Sequence, residues 1–446
     1  MFTDVRPGEA PTAILMFANV FLILCAYYFI KPLREGWIAI SDITGLTKME
    51  VRAYSSFGQS VLLVFVIAAY ARLSDRLSRN KLITRSTLFC ISNILIFWVI
   101  QPGLFFDAVP FAGIAFYLWV GMFGVFVVAQ FFAFAADLYT DERGRRMLPM
   151  IAIGATGGAW AGSEIAESLV RLMGAETLLL LAVLPLIASI VLTSLADLRG
   201  PVGEGWEAVS PGSPAERTGR GALSLVLTSR FLLAVTAITI IINWVNTNGE
   251  TLLFRVVHEA VEENAALAGL SGAEELKRFI RDGMTAFYGN FYSWVNGIAL
   301  VLQAFVASRL LKYGGFAAIL LLLPVIALVS YSTMALLPLL GVVKAMKIAE
   351  NATDYSINNT ARHVLWLPTT AEMKYKGKPT IDTFFARVGD GMAALTVVVG
   401  VQMYAVATET FFAFNVVLVL LWLGLSALVI REHRRLSEGV ASDDHS

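Results

Sequence analysis

Apolar stretches of roughly twenty residues alternate with short polar breaks along this chain, and the alternation repeats twelve times. Spans at 11–33, 53–73, 82–101, 111–136, 147–171, 177–196, 229–250, 284–308, 314–337, 339–364, 381–404 and 409–430 each read as one helix. A helix rises 1.5 Å per residue, so about 20 apolar residues cross the roughly 30 Å of bilayer hydrocarbon. The tenth span is the least apolar and is the one expected to break. A stretch rich in Gly, Pro and Ser at 197–228 reads as a linker. The pattern therefore predicts an all-α polytopic membrane protein with twelve transmembrane helices. Its parts are a six-helix bundle at 1–196, the linker, and a second six-helix bundle at 229–446.

Composition narrows the picture. The chain is 57% hydrophobic and 15% charged, with a mean hydropathy of +0.69, which excludes an ordinary water-soluble globule. Thirty-four Lys and Arg against 34 Asp and Glu leave no net charge, so no nucleic-acid partner is expected. Cys25 and Cys90 lie inside spans, and only four histidines occur. No Walker loop, nucleophile arrangement or zinc-spaced cluster is present, so the expectation is no enzyme, no metal and no cofactor. The N-terminus lacks the pattern of a cleavable signal, and the first apolar run is expected to stay as a helix. Arg72, Arg76, Arg79, Lys81 and Arg85 crowd the second connection, Arg143, Arg145 and Arg146 the fourth, and Arg431, Arg434 and Arg435 the tail. Basic residues in short loops stay on the cytoplasmic side, which predicts both termini there; the membrane is expected to be a bacterial cytoplasmic (inner) one.

Ionisable groups within spans are costly unless paired or facing water, and they mark solute or ion paths. The first helix ends in "AYYFIKPLREGW", with Lys31, Arg34 and Glu35; the fifth has Glu164 and Glu167; the seventh has Glu250; the eleventh has Arg387 and Asp390. Lys344, Lys347, Glu350, Asp354 and Arg362 recur near helical spacing on the tenth, where most would form one stripe. Each has a plainer reading. Lys31, Lys344 and Lys347 could snorkel, Arg362 could anchor a helix end, and the small residues of "GATGGAWAGSE" before Glu164 could simply allow close packing. Tyr288 and Tyr292 could stack a flat ring or sit at a membrane interface. Glu250 holds in helix seven the place of Arg34 and Glu35 in helix one, and a charge pair between the two would close the outer mouth. Segment 255–283 reads as a small amphipathic cap.

After the second span comes "ARLSDRLSRNKLI", residues 71–83. It resembles the signature loop of the major facilitator superfamily, with Asp75, Arg76, Arg79 and Lys81 at the motif's charged positions and Ala71 and Ser78 in place of its glycines. That resemblance implies a six-plus-six fold in which Asp75, Arg76 and Arg79 help lock the cytoplasmic face. "DYSINNTARHVLWLPTTAEMKYKGKPTIDTFFARVGDG", residues 354–391, resembles the stretch by which ATP/ADP translocases of the plastid and intracellular-bacterium type are recognised. Tyr355, Ser356, Pro368, Lys374, Lys376, Gly377, Lys378, Ile381 and Asp382 fall in register. By this likeness Arg362 stands for a lysine used in nucleotide exchange, Lys31 for an arginine of the first helix, Arg34 for a functional lysine, Glu35 for an acid and Glu250 for a functional glutamate. "VNTNGETLLFRVV" and "TAFYGNFYSWVNG" continue it. One departure stands out, because Gly121 falls where that family has a functional glutamate in its fourth helix.

The expected function is a secondary transporter working by alternating access on a small anionic solute in the lipid bilayer, with a nucleotide or related phosphorylated solute implied by the resemblance. A single chain is expected to suffice. The substrate-binding candidates are Lys31, Arg34, Glu35, Glu250, Tyr288, Tyr292, Lys344, Lys347, Glu350, Asp354 and Arg362. The gating or proton-coupling candidates are Asp75, Arg76, Arg79, Glu164, Glu250, Arg387 and Asp390. Two alternatives stay open: proton-coupled transport of another amphiphilic or chelating solute, and a non-transporting assembly or lipid-handling protein on the same scaffold.

Overall fold

A computed structural model of the chain describes residues 9–74, 79–109, 111–138, 141–198, 222–370 and 372–443. Among these, the regular structure is entirely helical. The first six traversals are α1 (Ala10–Ala39), α2 (Lys48–Ser74), α3 (Arg79–Val99), α4 (Ala112–Leu138), α5 (Asp141–Met173) and α6 (Thr177–Leu198). After a short helix, Ala222–Thr228, come α7 (Arg230–Leu267), α8 (Ala273–Val301), α9 (Ala307–Leu336), α10 (Leu340–Thr353), α11 (Ala386–Val398) and α12 (Thr408–Asp443).

Local chemistry sets the boundaries. The Ser229 hydroxyl caps α7 by accepting the Leu232 amide. Between Glu250 and Leu267 no glycine or proline interrupts the helix, so α7 runs 38 residues and stops before Gly269, whose φ of +70° suits only glycine. The segment 255–283, expected as a separate cap, is instead the end of α7, a turn and the start of α8. α8 runs into α9 through a wider π turn at Leu302–Val306, and the chain folds over at Gly315, with φ +69°. The expected break in the tenth span is a π turn, Asp354–Asn358, after which helix resumes at Asn359–Leu365. Similar turns at Met373–Gly377, Ile381–Phe385 and Val399–Met403 flank α11 and accommodate Pro379, which has no amide hydrogen to donate.

Eight described runs are long and apolar enough to cross a membrane, one of them, Ala273–Leu336, holding two traversals. The traversals left out, α2, α5 and α10, carry Arg52, Glu164 and Lys347. Phe65, Phe89, Leu184, Val191, Val329 and Val417 are large apolar side chains exposed on the perimeter, the surface that lipid tails would cover. α1 is the central post, packed by α4, α5, α6 and α8. Its approach to α5 depends on small residues: a Cβ on Gly162 would come 2.6 Å from the Cys25 carbonyl oxygen, and Gly154 and Gly158 meet Phe17 and Phe21 in the same way. α5 and α1 on α8, and α2 on α11 and α7, join the first six helices to the last six. An even number of traversals leaves both chain ends on one side, called here the terminal end; the α7–α8 turn is at the far end.

Candidate functional site

The charged turn of α1 sits at the middle of these contacts. Pro32 lacks the amide hydrogen that would bond the Tyr28 carbonyl, so this turn already departs from ideal helix. Lys31 is 7% exposed. Its ammonium lies 4.0 Å from the ring centre of Tyr292 on α8, 4.8 Å from Tyr28, and 5.7 Å from both Tyr27 and Tyr355, the last in the π turn after α10. Among the described residues it has no ion pair. Cation–π contacts are worth about 0.5–2 kcal/mol, far below the hydration an ammonium loses on burial. The cage holds a cation and leaves its charge unanswered.

One turn on, the Arg34 guanidinium lies 4.6 Å from the Tyr117 ring centre and donates to Glu35 Oε1 at 2.8 and 3.1 Å. Glu35 is fully buried and takes a second cation, Arg52 of α2, at 2.8 Å. Arg52 also donates to Thr251 Oγ1 of α7 at 3.2 Å, a contact between the first six helices and the last six. Lys31, Arg34 and Arg52 against Glu35 leave a surplus of two positive charges. On the other wall the balance is reversed. Lys347, completely buried, lies 2.8 Å from Glu350 and 3.7 Å from Glu250, so two carboxylates share one ammonium. Tyr331 donates to Glu350 at 3.1 Å and Asn351 to Glu250 at 2.7 Å.

These contacts correct three expectations. The charge pair expected between Glu250 and α1 is not formed; Glu250 turns to α10, and its neighbour Thr251 meets Arg52. Lys347 does not snorkel, because two carboxylates hold it inside. Arg362 does not join the Lys31 cage. It lies seven residues beyond Tyr355, about 10 Å along the helix, 3.8 Å from Asp354 and largely exposed. Lys344 donates to Asn290, which donates in turn to Glu167 at 2.8 Å. Tyr288 is fully buried beside Tyr292 and does not present a ring to the cage.

The gating candidates fall in separate places. Asp390 accepts from Ser60 of α2 at 2.7 Å and Thr247 of α7 at 2.6 Å, and pairs with Arg387 at 2.9 Å, so it ties three helices. Glu164 is hydrogen-bonded to Ser293 across the α5–α8 seam. Asp75 and Arg76 lie outside the described residues, and Arg79 opens α3 without a described side chain. No group of three or more His, Cys, Asp or Glu suited to a metal occurs among the described residues.

Sequence reasoning missed Arg52, Thr251 and the tyrosine cage. Arg52 sits just outside the span that hydropathy delimits at 53. Tyr27 and Tyr28 occur in the quoted stretch, but apolar patterning cannot tell which rings converge. It also could not foresee what fills the room beyond Gly121. The Gln59 side chain of α2 does, and its Oε1 accepts no hydrogen bond from the described residues.

The far end is closed. Lys277 pairs with Asp107 at 3.2 Å and Arg281 with Glu176 at 2.7 Å, so the start of α8 grips the α3–α4 and α5–α6 connections. Gly36 of α1 packs so tightly that a Cβ there would come 2.7 Å from the Arg281 carbonyl. Toward the terminal end a cavity of about 360 Å³ lies among α7, the end of the α10 traversal and α11.

No family model and no curated protein matches the sequence. The likeness to ATP/ADP translocases therefore rests on the residues quoted above. Solved structures do match over nearly the whole chain. The human organic anion transporter MFSD10 (TETRAN) aligns with a TM-score of 0.58 at 14% identity, over 94% of this chain and 100% of that one. An auto-inhibited POT family peptide transporter aligns with 0.63 at 12%, over 94% and 96%. A bacterial homolog of the human lysosomal transporter Spinster, inward-facing and unoccupied, aligns with 0.52 at 12%, over 98% and 99%. The architecture these alignments share with the twelve helices described here is the major facilitator fold, and this chain has it.

Proposed function

We propose that the protein is a secondary transporter that carries an organic anion by alternating access, with the anion held at Lys31 and Arg34. The observation that carries this reading is Lys31. Its buried ammonium lacks a counter-ion among the described residues, and it is enclosed by rings from α1, α8 and the α10 turn, where the two sets of six helices meet. A ligand oxyanion supplies the missing charge, and Arg34 offers a planar fork beside it. Residues 1–196 and 229–446 would be the two rocking bundles around linker 197–228, with the terminal end cytoplasmic and one chain sufficient, since it supplies every wall of the cage.

Nucleotides and related phosphorylated solutes come first for testing, from the sequence resemblance. Organic anions more broadly are supported by the likeness to MFSD10, an organic anion transporter, and a structurally similar POT family transporter is known in complex with 5-aminolevulinic acid. Glu250 favours a second reading, proton-coupled transport, because it shares its only described cation with Glu350.

The test is thermal unfolding of the detergent-purified protein against nucleotides, other phosphorylated metabolites, carboxylates and small peptides, followed by flux in liposomes. A ligand that prefers the folded state raises the midpoint. We expect an anion to do so in the wild type and not in Arg34→Ala. A panel in which no anion acts, or in which Arg34→Ala responds like the wild type, sinks the proposal. Flux that collapses when the proton gradient is removed selects the second reading over exchange.

A further inference from the structure

Arg34 is not free to meet an anion as it stands. Its Nε and Nη2 both donate to Glu35 Oε1, at 3.1 and 2.8 Å, so a carboxylate already occupies one planar edge of the guanidinium. Glu35 is fully buried, and if Arg34 turned to a ligand with no other cation at hand, a charge would be left unanswered inside the protein. Arg52 is that other cation. Its Nε donates to Glu35 Oε2 at 2.8 Å, and its Nη2 lies 3.5 Å from Oε1, the oxygen that Arg34 holds. Arg52 is 2% exposed and is steadied from α7, where Thr251 Oγ1 accepts from its Nη1 at 3.2 Å and the Phe254 ring centre lies 5.4 Å from its guanidinium carbon. One carboxylate thus stands between two guanidinium groups, of which Arg52 is the anchored one.

We propose that Arg52 is a positioning residue for the anion site: it takes over Glu35 when Arg34 turns to the ligand, and does not touch the ligand itself. This deepens the anion reading above and rests on it. Before binding, two guanidinium groups share one carboxylate. After binding each has an anion of its own, Arg52 closing on both oxygens of Glu35 and Arg34 joining Lys31 on the ligand. No carboxylate is stranded in the exchange. With Arg52 gone, Glu35 and Arg34 form an exclusive pair that the ligand must break. With Arg52 and Glu35 both neutral, Arg34 is free again. A residue in direct contact with the anion, or one that merely supports the fold, does not produce that reversal.

The probe is ATP, with oxalate and sulfate alongside, on the full-length protein in detergent. Thermal unfolding is read for each variant against its own unliganded midpoint. The concentration for half the effect should rise about tenfold or more in Arg52→Gln, stay within about threefold of the wild type in Arg52→Lys, and return to about the wild-type value in Glu35→Gln/Arg52→Gln. Thr251→Val, which loses the α7 anchor and leaves both cations on Glu35, should bind like the wild type. Arg34 still answers Glu35 in Arg52→Gln, so that variant should fold; if it does not, Arg52→Met, which buries no unpaired amide, takes its place. Unchanged binding in Arg52→Gln overturns the proposal and leaves the anion reading standing. Binding as weak in the double variant as in Arg52→Gln overturns it too, because Arg52 would then touch the anion or only support the fold. A wild type that no anion stabilises sinks the anion reading and this proposal together, since Arg34 then has nothing to turn to.

Discussion

Replacing Lys31 by methionine removes a buried charge that no described residue answers while keeping most of the volume inside the tyrosine cage. Lys31→Met should therefore leave the unfolding midpoint unchanged or raised, yet abolish the anion response and cut flux more than tenfold, which separates binding from folding. Glu35 behaves oppositely. Among the described residues it is the only carboxylate between Arg34 and Arg52, and removing one partner of a buried pair costs about 3–5 kcal/mol because the other charge stays buried. Glu35→Gln should cost that much, and Glu35→Gln/Arg52→Gln distinctly less than the sum of the single changes, as a double-mutant cycle in urea would report. These side chains illustrate what was legible. Lys31, Arg34 and Glu35 stand out in the sequence because ionisable residues are conspicuous at an apolar boundary. Their partners do not, because pairing is set by helix azimuth, and the sequence alone leaves Arg52, Glu250 and Lys347 free to choose among several neighbours.

Between helices, closeness is set by what is missing from the side chains. Gly154, Gly158 and Gly162 bring α5 against the backbone of α1. Gly158→Ala should cost about 1–3 kcal/mol by overpacking, measured as a fall in the unfolding midpoint, with ligand specificity unchanged. The run of small residues announced this seam in the sequence. The seam between α2 and α4 it did not announce, since nothing local to Gly121 says that Gln59 fills its space. A glutamate at 121 should be tolerated only when that space is cleared. Gly121→Glu alone should lower the midpoint, and Gln59→Ala/Gly121→Glu should recover most of the loss. Equal midpoints for the two variants would show that Gln59 moves aside at no cost. Element boundaries were readable to within a few residues where apolar runs end abruptly. They failed at α7, α8 and α12, because hydropathy stops counting where a helix leaves the bilayer although its hydrogen bonds continue.

For the whole molecule, the closed far end is a population that can be moved. The Lys277–Asp107 and Arg281–Glu176 pairs link the start of α8 to connections among the first six helices; the first is exposed, hence weak and screened by salt, whereas the second is largely buried and is removed only by substitution. Lys277→Ala/Arg281→Ala, or high salt on the wild type, should shift the equilibrium toward a far-side opening. A cysteine at Asn351 would then react several-fold faster with an impermeant thiol reagent applied from the far side, while Cys25 and Cys90, both buried, stay silent. Unchanged labelling would mean that the close backbone packing of Gly36 against α8 holds the end shut by itself.

The length of α7 has one more consequence. At 38 residues it measures about 57 Å, nearly twice the hydrocarbon thickness, and its hairpin with α8 has no counterpart at the turn between α1 and α2, where eight residues separate the helices. The doorway on that side has a tall jamb and a low one. A nanobody raised against the hairpin could brace it from the aqueous phase without touching the solute path, so arrival from the two sides of the membrane should differ in sensitivity to such a binder.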